Sequence, residues 1–238
     1  MTDTTQMHAL MVDVANGPLR LATIPRPTPG DGEVLVRIKA SGLNPLDGKI
    51  RAGEAAHARQ PLPAVIGLDL AGIIETVGPD INEWKAGDEV YALATGVGGS
   101  QGSLAECAVV DARLLARKPV TLGMREAAAL PLVAITAFEG LQRSHVQAGQ
   151  KVLVHGGTGG VGHVAVQLAK HFGADVYATG AGEKAMDIIR GYGATAIDYT
   201  REQVADYVAR HTSSAGFDVV FDSVGGANMS KSFEAAAL

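Results

Sequence analysis

Residues 152–162 read Val-Leu-Val-His-Gly-Gly-Thr-Gly-Gly-Val-Gly and lead directly into an apolar segment that ends at Phe172. The β-branched valines before the glycines favour a strand. The apolar residues that recur at helical spacing after the glycines are Val161, Val164, Ala165, Leu168 and Phe172. The segment therefore predicts a strand that turns sharply into a helix, and the free N–H groups and dipole at the start of such a helix attract anions.

The spacing Gly157-x-Gly159-x-x-Gly162 is typical of the Rossmann dinucleotide-binding loop. The first glycine allows the tight turn, the second lets the backbone approach phosphate, and the third permits close packing of the helix. In a chain with 30 glycines the alternative is a merely tight strand-to-helix turn, but the strand–loop–helix context favours dinucleotide binding. The residues predicted to hold the pyrophosphate are Gly157, Thr158, Gly159, Gly160, Val161 and Gly162.

Composition and charge exclude several classes of function. The chain has no unbroken apolar run of about eighteen residues, which argues against a membrane span, and its formal charge of −5 offers no basic field for nucleic acid. Residues 1–6 lack the basic and apolar parts of a signal peptide. The single cysteine, Cys107, cannot form an internal disulfide, which fits a reducing compartment. We therefore expect a soluble, cytoplasmic protein whose partner is a small molecule.

The hydrophobic pattern changes near residue 120. Before it, short extended runs alternate with glycine and proline, which predicts an all-β, barrel-like domain; its strands are expected at 33–40, 69–77, 88–92 and 103–110. After Pro119 the period becomes helical, and a long apolar helix over 125–143 is interrupted by Pro131. Strands and helices then alternate, which favours right-handed crossovers and a parallel sheet.

In this second half the strands are expected at 151–154, 175–179, 196–199 and 217–222, and the helices at 161–172, 184–192 and 201–211. Counted along the chain, these strands should lie in the order 3-2-1-4. Residues 217–222 would then form an edge strand, which is an aggregation risk unless it is covered.

Four segments in this order resemble the medium-chain dehydrogenase/reductase superfamily, and specifically its zinc-independent quinone oxidoreductase (zeta-crystallin-like) branch: Val34–Asp47, Gly67–Gly78, Trp84–Tyr91 and the glycine loop. The resemblance implies an α/β protein with a GroES-like β-barrel domain over residues 1–120, followed by a Rossmann domain over residues 121–238. Family members run further, so we expect the chain to be a fragment with an incomplete Rossmann domain. The resemblance also implies a homodimer.

The departures from the family concern zinc. Zinc alcohol dehydrogenases place a cysteine ligand where this chain has Asn44, and a His-Glu pair where it has Leu68-Asp69. They also carry four clustered cysteines for a structural zinc, whereas Cys107 is the single cysteine of this chain. Because zinc needs three or four converging ligands, we expect no zinc and no metal-assisted alcohol oxidation.

The resemblance therefore implies NADPH-dependent hydride transfer to a quinone or an α,β-unsaturated carbonyl. One alternative is a non-catalytic or weakly active nucleotide-binding protein of the same fold. Another is an enoyl-thioester reductase, although several members carry a tyrosine where this chain continues with residues 54–57, Glu-Ala-Ala-His.

The resemblance places Asn44 and Asp47 at the cleft between the domains. An Asn44 amide can donate to a carbonyl oxygen in the transition state, and Asp47 could fix its orientation. The alternative is structural: Asn44-Pro45 forms a turn, and Asp47 caps the next helix. The sequence leaves both interpretations open.

The cofactor is predicted to be NADP(H). NAD-specific Rossmann domains carry an acid at the end of the second strand, and the aligned residue here is Gly180. Lys184 and Tyr199 resemble the contacts that the branch makes with a 2′-phosphate, whereas Glu183 opposes this interpretation unless it faces solvent. Thr136 matches a threonine near the nicotinamide, and its alternative role is a hydrogen bond to a helix carbonyl.

Overall fold

A computed structural model of the chain describes residues 5–237. The chain divides into two compact units, Met1–Leu132 and Val133–Leu238. The domain boundary predicted after residue 120 marks the change of hydrophobic period, and it stays a prediction.

The first unit is built from antiparallel strands. They are β1 (Gln6–Val12), β2 (Arg20–Pro25), β3 (Glu33–Gly42), β4 (Ala64–Val65), β5 (Asp69–Val77), β6 (Glu89–Leu93), β7 (Cys107–Asp111) and β8 (Ala116–Arg117). One sheet has the order β7-β3-β5-β6-β8 and the other the order β2-β1-β4. The helices are α1 (Pro45–Ala52) and α2 (Met124–Ala128), with short 3₁₀ turns at Ala56–Ala58 and Ala112–Leu114.

The buried residues of the five-stranded sheet show why these segments form strands. Val34, Val36, Leu70 and Ile74 are fully buried on β3 and β5, which are flanked by strands on both sides. Every second residue of a strand faces the same side of the sheet, so each strand places a regular series of apolar side chains in the core. The strands predicted at 33–40, 69–77 and 88–92 are confirmed within two residues, and the strand predicted at 103–110 is shorter, beginning at Cys107.

The second unit is a parallel sheet with helices. Its strands are β9 (Lys151–His155), β10 (Asp175–Gly180), β11 (Thr195–Asp198) and β12 (Val219–Asp222). Its helices are α4 (Gly160–His171), α5 (Gly182–Gly191), α6 (Val204–Thr212) and α7 (Met229–Ala235), with a 3₁₀ turn at Gly226–Asn228. The sheet order is β11-β10-β9-β12, so the predicted 3-2-1-4 arrangement is confirmed. Within residues 5–237 no helix is both long enough and apolar enough to cross a membrane.

The interruption predicted at Pro131 is confirmed: α2 ends at Ala128, and α3 (Pro131–Arg143) begins at the proline, which the first helical position accepts. Two other boundaries differ from the prediction for local reasons. The helix predicted from 201 begins at Val204, since the Asp198 side chain accepts hydrogen bonds from Thr200 and holds a turn there. The last strand begins at Val219, and Phe217 forms a bridge with Ala236 instead.

Candidate functional site

The glycine loop joins β9 to α4 and is tied to the end of β10. Gly156 has a φ of +74°, a left-handed conformation that favours glycine. Its N–H donates to Thr179 Oγ1 at 3.1 Å, and the Gly157 N–H donates to the Thr179 carbonyl at 2.9 Å. These two hydrogen bonds fix the turn to the end of β10.

Two glycines of the fingerprint are required by packing. A Cβ on Gly162 would lie 2.0 Å from the Gly156 oxygen, and a Cβ on Gly157 would lie 2.6 Å from the Ala178 Cβ. Neither distance leaves room for a side chain. The third fingerprint glycine therefore lets α4 start directly against the backbone of its own loop.

Gly159 has a different role. It is the N-cap of α4 with φ −73° and ψ 171°, a conformation open to any residue. An added Cβ would come within 3.2 Å of the Gly156 oxygen and of no other described heavy atom within 4 Å outside its chain neighbours. Its lack of a side chain therefore serves to keep open the space in front of α4, where the first N–H groups have no partner within the helix.

A pocket of about 440 Å³ lies at the carboxyl ends of the parallel strands. This edge is where open α/β sheets bind their ligands. Residues lining it include the predicted site residues Thr158, Gly180 and Tyr199. Lining residues that the sequence did not single out include His155, Thr179, Gln203, Asn228 and Lys231. They lie at the ends of different strands or in the segments that follow them, so only the sheet topology brings them together.

The end of β10 excludes an acidic side chain by packing. A Cβ on Gly180 would lie 2.9 Å from the Ala185 Cβ of α5, so an aspartate or glutamate here would displace the helix. The Tyr199 N–H donates to the Gly180 carbonyl at 3.2 Å, which sets Tyr199 beside this strand end. Glu183 lies 3.4 Å from the Arg190 guanidinium on the exposed face of α5. Lys184 is exposed in the first turn of the same helix.

His155 is a buried titratable group of this pocket. The residue is 3% exposed, and its Nδ1 lies 3.4 Å from Thr179 Oγ1. Its Nε2 has no hydrogen-bond partner among the described residues. Burial lowers the pKa of His155, while the nearby Asp222 carboxylate opposes that shift. The ring is therefore neutral near pH 7.

Asp222 stabilises the loop that follows β12. Its carboxylate accepts hydrogen bonds from the N–H groups of Val224 and Gly225 and from the side chains of Asn228 and Ser232. Partial burial raises the pKa of Asp222, but these hydrogen bonds outweigh it and hold the value at about 2. The Asp222 carboxylate is therefore ionised at neutral pH.

Asn44 and Asp47 meet at the start of α1 in the first unit. Asn44 is the N-cap, Pro45 follows it, and Asp47 Oδ2 accepts a hydrogen bond from the Asn44 N–H at 2.7 Å. Asp47 thus has the helix-capping contact that the structural alternative predicts. The Asn44 side chain makes no capping hydrogen bond.

The side-chain amide of Asn44 is held by Asp69, a partner that the sequence did not predict, and the orienting role expected of Asp47 stays a prediction. Asn44 Nδ2 donates to Asp69 Oδ2 at 2.9 Å. The Leu132 N–H donates to the same carboxylate, at 3.1 Å to Oδ1 and 3.3 Å to Oδ2. Asp69 is 1% exposed. Burial raises the pKa of Asp69 to about 6, against the opposing hydrogen bonds from Asn44 and Leu132 and with a smaller raising effect of Asp47.

These residues do not fit a zinc ion. Both oxygens of Asp69 accept hydrogen bonds, Asn44 donates to one of them, and Leu68 offers no ligand atom. Across residues 5–237, no group of three or more His, Cys, Asp and Glu side chains is placed to hold a metal ion. No step of the chemistry is therefore assigned to zinc.

The predicted site residues divide between the two units. Asn44 and Asp47 belong to the first. The glycine loop, Gly180, Tyr199 and the exposed Lys184 and Thr136 belong to the second, Thr136 on α3. Their roles toward ligand stay predictions.

Comparisons with known proteins agree with this architecture. Residues 30–120 match the family model "Alcohol dehydrogenase GroES-like domain", and residues 160–238 match "Zinc-binding dehydrogenase". The chain is 42% identical over 201 residues to an NADPH-dependent alkenal/one oxidoreductase of Arabidopsis thaliana, covering 82% of this chain and 50% of that protein. It thus spans half the length of that relative.

Solved structures show the same relationship. An alcohol dehydrogenase superfamily protein from Novosphingobium aromaticivorans superposes with a TM-score of 0.94 and 54% identity, covering 97% of this chain and 70% of that one. The quinone oxidoreductase from Coxiella burnetii superposes with a TM-score of 0.84 and 32% identity, covering 97% and 73%. On this sequence identity and coverage, the chain belongs to the medium-chain dehydrogenase/reductase superfamily of alcohol dehydrogenase-type proteins.

Proposed function

We propose that this chain carries the activity of an NADPH-dependent, zinc-independent reductase that transfers hydride to an α,β-unsaturated carbonyl or a quinone. The observation that carries the proposal is the glycine loop, whose fixed turn and open Gly159 leave the N-terminus of α4 free for a pyrophosphate. The similarity to an NADPH-dependent alkenal/one oxidoreductase and to a quinone oxidoreductase supports the choice of reaction.

The residues present fit such a cofactor. Residues 157–162 would hold its pyrophosphate, with Thr136 near the nicotinamide, and Gly180, Lys184 and Tyr199 would accept an adenosine 2′-phosphate. When bound, NADPH supplies the hydride.

In the first unit, Asn44 would be the residue that donates a hydrogen bond to the substrate. Its amide is half-buried, and one N–H of Nδ2 is already donated to Asp69. In this proposal the second N–H would donate to a substrate carbonyl oxygen as negative charge develops on it. A neutral donor of this kind stabilises an enolate-like oxygen without a metal ion.

Oxidation of NADPH in the presence of an enone, a quinone and an enoyl thioester, followed by nicotinamide absorbance, tests the proposal. We expect consumption with an enone or a quinone. Faster oxidation of NADPH with the enoyl thioester than with the enone or the quinone would instead indicate an enoyl-thioester reductase. Binding of NADPH without turnover of any of the three substrates would contradict the proposal and indicate a non-catalytic nucleotide-binding protein of the same fold.

Replacement of Lys184 by alanine should remove the preference for NADPH over NADH. A charge-assisted contact with the 2′-phosphate corresponds to roughly ten- to a hundredfold in affinity, and NADH lacks that group. Calorimetric affinities for both cofactors measure the effect. Lys85→Ala removes an exposed lysine of the first unit and should change neither; equal losses for both cofactors in Lys184→Ala would contradict the assignment.

Zinc independence has its own test. Because Asn44, Leu68 and Asp69 lack a zinc ligand set, chelator treatment should leave turnover unchanged. Elemental analysis of untreated protein should find no stoichiometric zinc. One tightly held zinc per chain would refute this part of the proposal.

Location and assembly belong to the same proposal. The single cysteine, which cannot form an internal disulfide, supports a cytoplasmic location. The family resemblance supports a homodimer. Light scattering of the purified chain measures its molar mass, and a monomer at all concentrations would exclude the dimer.

A further inference from the structure

The orientation of the Asn44 amide depends on its partner. An ionised carboxylate accepts hydrogen bonds and donates none, so only the Nδ2 end of Asn44 can face Asp69. The hydrogen bond from Nδ2 to Asp69 Oδ2 at 2.9 Å has this arrangement. Asp47 caps α1 through the Asn44 backbone N–H, and the Asn44 side chain also acts on Asp47, whose pKa it lowers.

The position of Asp69 is fixed by its surroundings. It is the first residue of β5 and lies opposite Gly42 of β3. A Cβ on Gly42 would lie 3.0 Å from the Asp69 Cβ and 2.2 Å from the Ala128 oxygen, so this close approach of β3 to Asp69 requires a glycine. The Leu132 N–H contacts both of its oxygens.

We propose that Asp69 is a positioning residue, whose ionised carboxylate selects the amide orientation in which Asn44 presents its second N–H to the substrate oxygen. This inference rests on the proposed function. A protonated carboxyl group both donates and accepts, so it can bind either end of the amide. Protonation of Asp69 therefore removes the selection.

The groups packed around Asp69 place its protonation within a pH range in which activity can be measured. Burial has the largest effect and raises the pKa of Asp69 to about 6. The side chain of Asn44 and the N–H of Leu132 lower the pKa, and the nearby Asp47 carboxylate on α1 raises it. Burial also raises the pKa of Asp47 itself. Gly42 of β3 adds no charge. Activity should therefore fall as pH drops through about 6, because the carboxylate form is the one that orients Asn44.

Asp69→Asn is the informative substitution. The Leu132 N–H needs an acceptor, so the new amide should keep its oxygen toward Leu132 and turn its NH₂ group toward Asn44. Two donors then face each other, and Asn44 must flip. Since a misplacement of about 1 Å can cost 10²-fold, kcat should fall roughly 10- to 100-fold, KM for NADPH should hardly change, and the decline below pH 6 should disappear.

The matched control is Asp111→Asn in the same unit. Its hydrogen bonds to Arg113 hold the pKa of Asp111 at about 2, so it does not titrate between pH 5 and 8. This variant should keep the acid decline and the kcat of the unmodified chain.

A structural measurement separates this inference from the proposed function. The side-chain NH₂ resonance of Asn44, assigned by its loss in Asn44→Ala, should shift between pH 5 and 8 with a midpoint near 6 in the unmodified chain. It should not shift in Asp69→Asn. An unmodified chain without reductase activity would refute the proposed function, whereas an Asn44 resonance insensitive to pH, or full kcat in Asp69→Asn, would overturn the role of Asp69.

Discussion

Replacement of Gly159 by valine is expected to abolish NADPH binding while the second unit stays folded. The φ of −73° and ψ of 171° at this residue are open to any side chain, and an added Cβ at 3.2 Å requires the Gly156 oxygen to move by a few tenths of an ångström. The valine methyl groups would instead fill the space that the pyrophosphate needs at the N-terminus of α4. Calorimetry with NADPH measures the loss, and circular dichroism measures the fold.

Two further substitutions make this result specific. Gly191→Val introduces the same side chain at the end of α5, where an added Cβ meets nothing within 4 Å, and it should keep full affinity. Gly162→Val should disrupt the fold itself, because its Cβ would lie 2.0 Å from the Gly156 oxygen. Unchanged affinity in Gly159→Val would remove the glycine loop from the cofactor site.

Replacement of Asn44 by alanine should lower kcat by roughly 10²-fold, which is typical for the loss of one oxyanion donor. NADPH affinity should hardly change, since the predicted cofactor residues belong to the second unit. The helix α1 should persist, because its cap uses the Asn44 backbone N–H and the Asp47 carboxylate. Steady-state kinetics on the best enone or quinone measure the effect.

Asn82→Ala removes an exposed amide from a loop of the first unit and should leave kcat unchanged. If Asn44→Ala also keeps full activity, Asn44 is a helix N-cap and nothing more. A fall in NADPH affinity equal to the fall in kcat would instead show that Asn44 acts on cofactor binding.

The second unit could be predicted in detail because its signals are local. The change from a strand to a helical period locates each element within a few residues, and right-handed crossovers then fix the order of the strands. The glycine spacing identifies the loop between β9 and α4. Its spacing does not say which glycine is required by packing and which leaves room for ligand, since that depends on the Gly156 oxygen and the Ala178 side chain.

In the first unit, local contacts could be predicted from the sequence, but contacts between residues far apart in the chain could not. Asn44 and Asp47 lie on one turn of chain, so their capping contact follows from sequence. Asp69 reaches Asn44 only because the end of β3 pairs with the start of β5, and a single sequence does not specify that register. The two-residue strands β4 and β8 depend in the same way on their partners, β1 and β6.

Packing also explains Gly180 in a way that the sequence does not show. From the sequence, its importance is the missing acid at the end of the second strand. In the structure, an acid is excluded because α5 packs against this residue at Ala185. The residue that we predict to favour NADPH is therefore also one at which packing requires a glycine.

Transfer of deuterium from NADPH carrying two deuterium atoms at C4 to an α,β-unsaturated ketone tests the proposed reaction most directly. The hydride carries two electrons to the β-carbon, and a proton from solvent completes the saturated product. We predict one cofactor-derived deuterium on the β-carbon of the product, detected by mass spectrometry and NMR. A reduced product without cofactor deuterium on that carbon, or no product while NADPH is bound, would contradict the account.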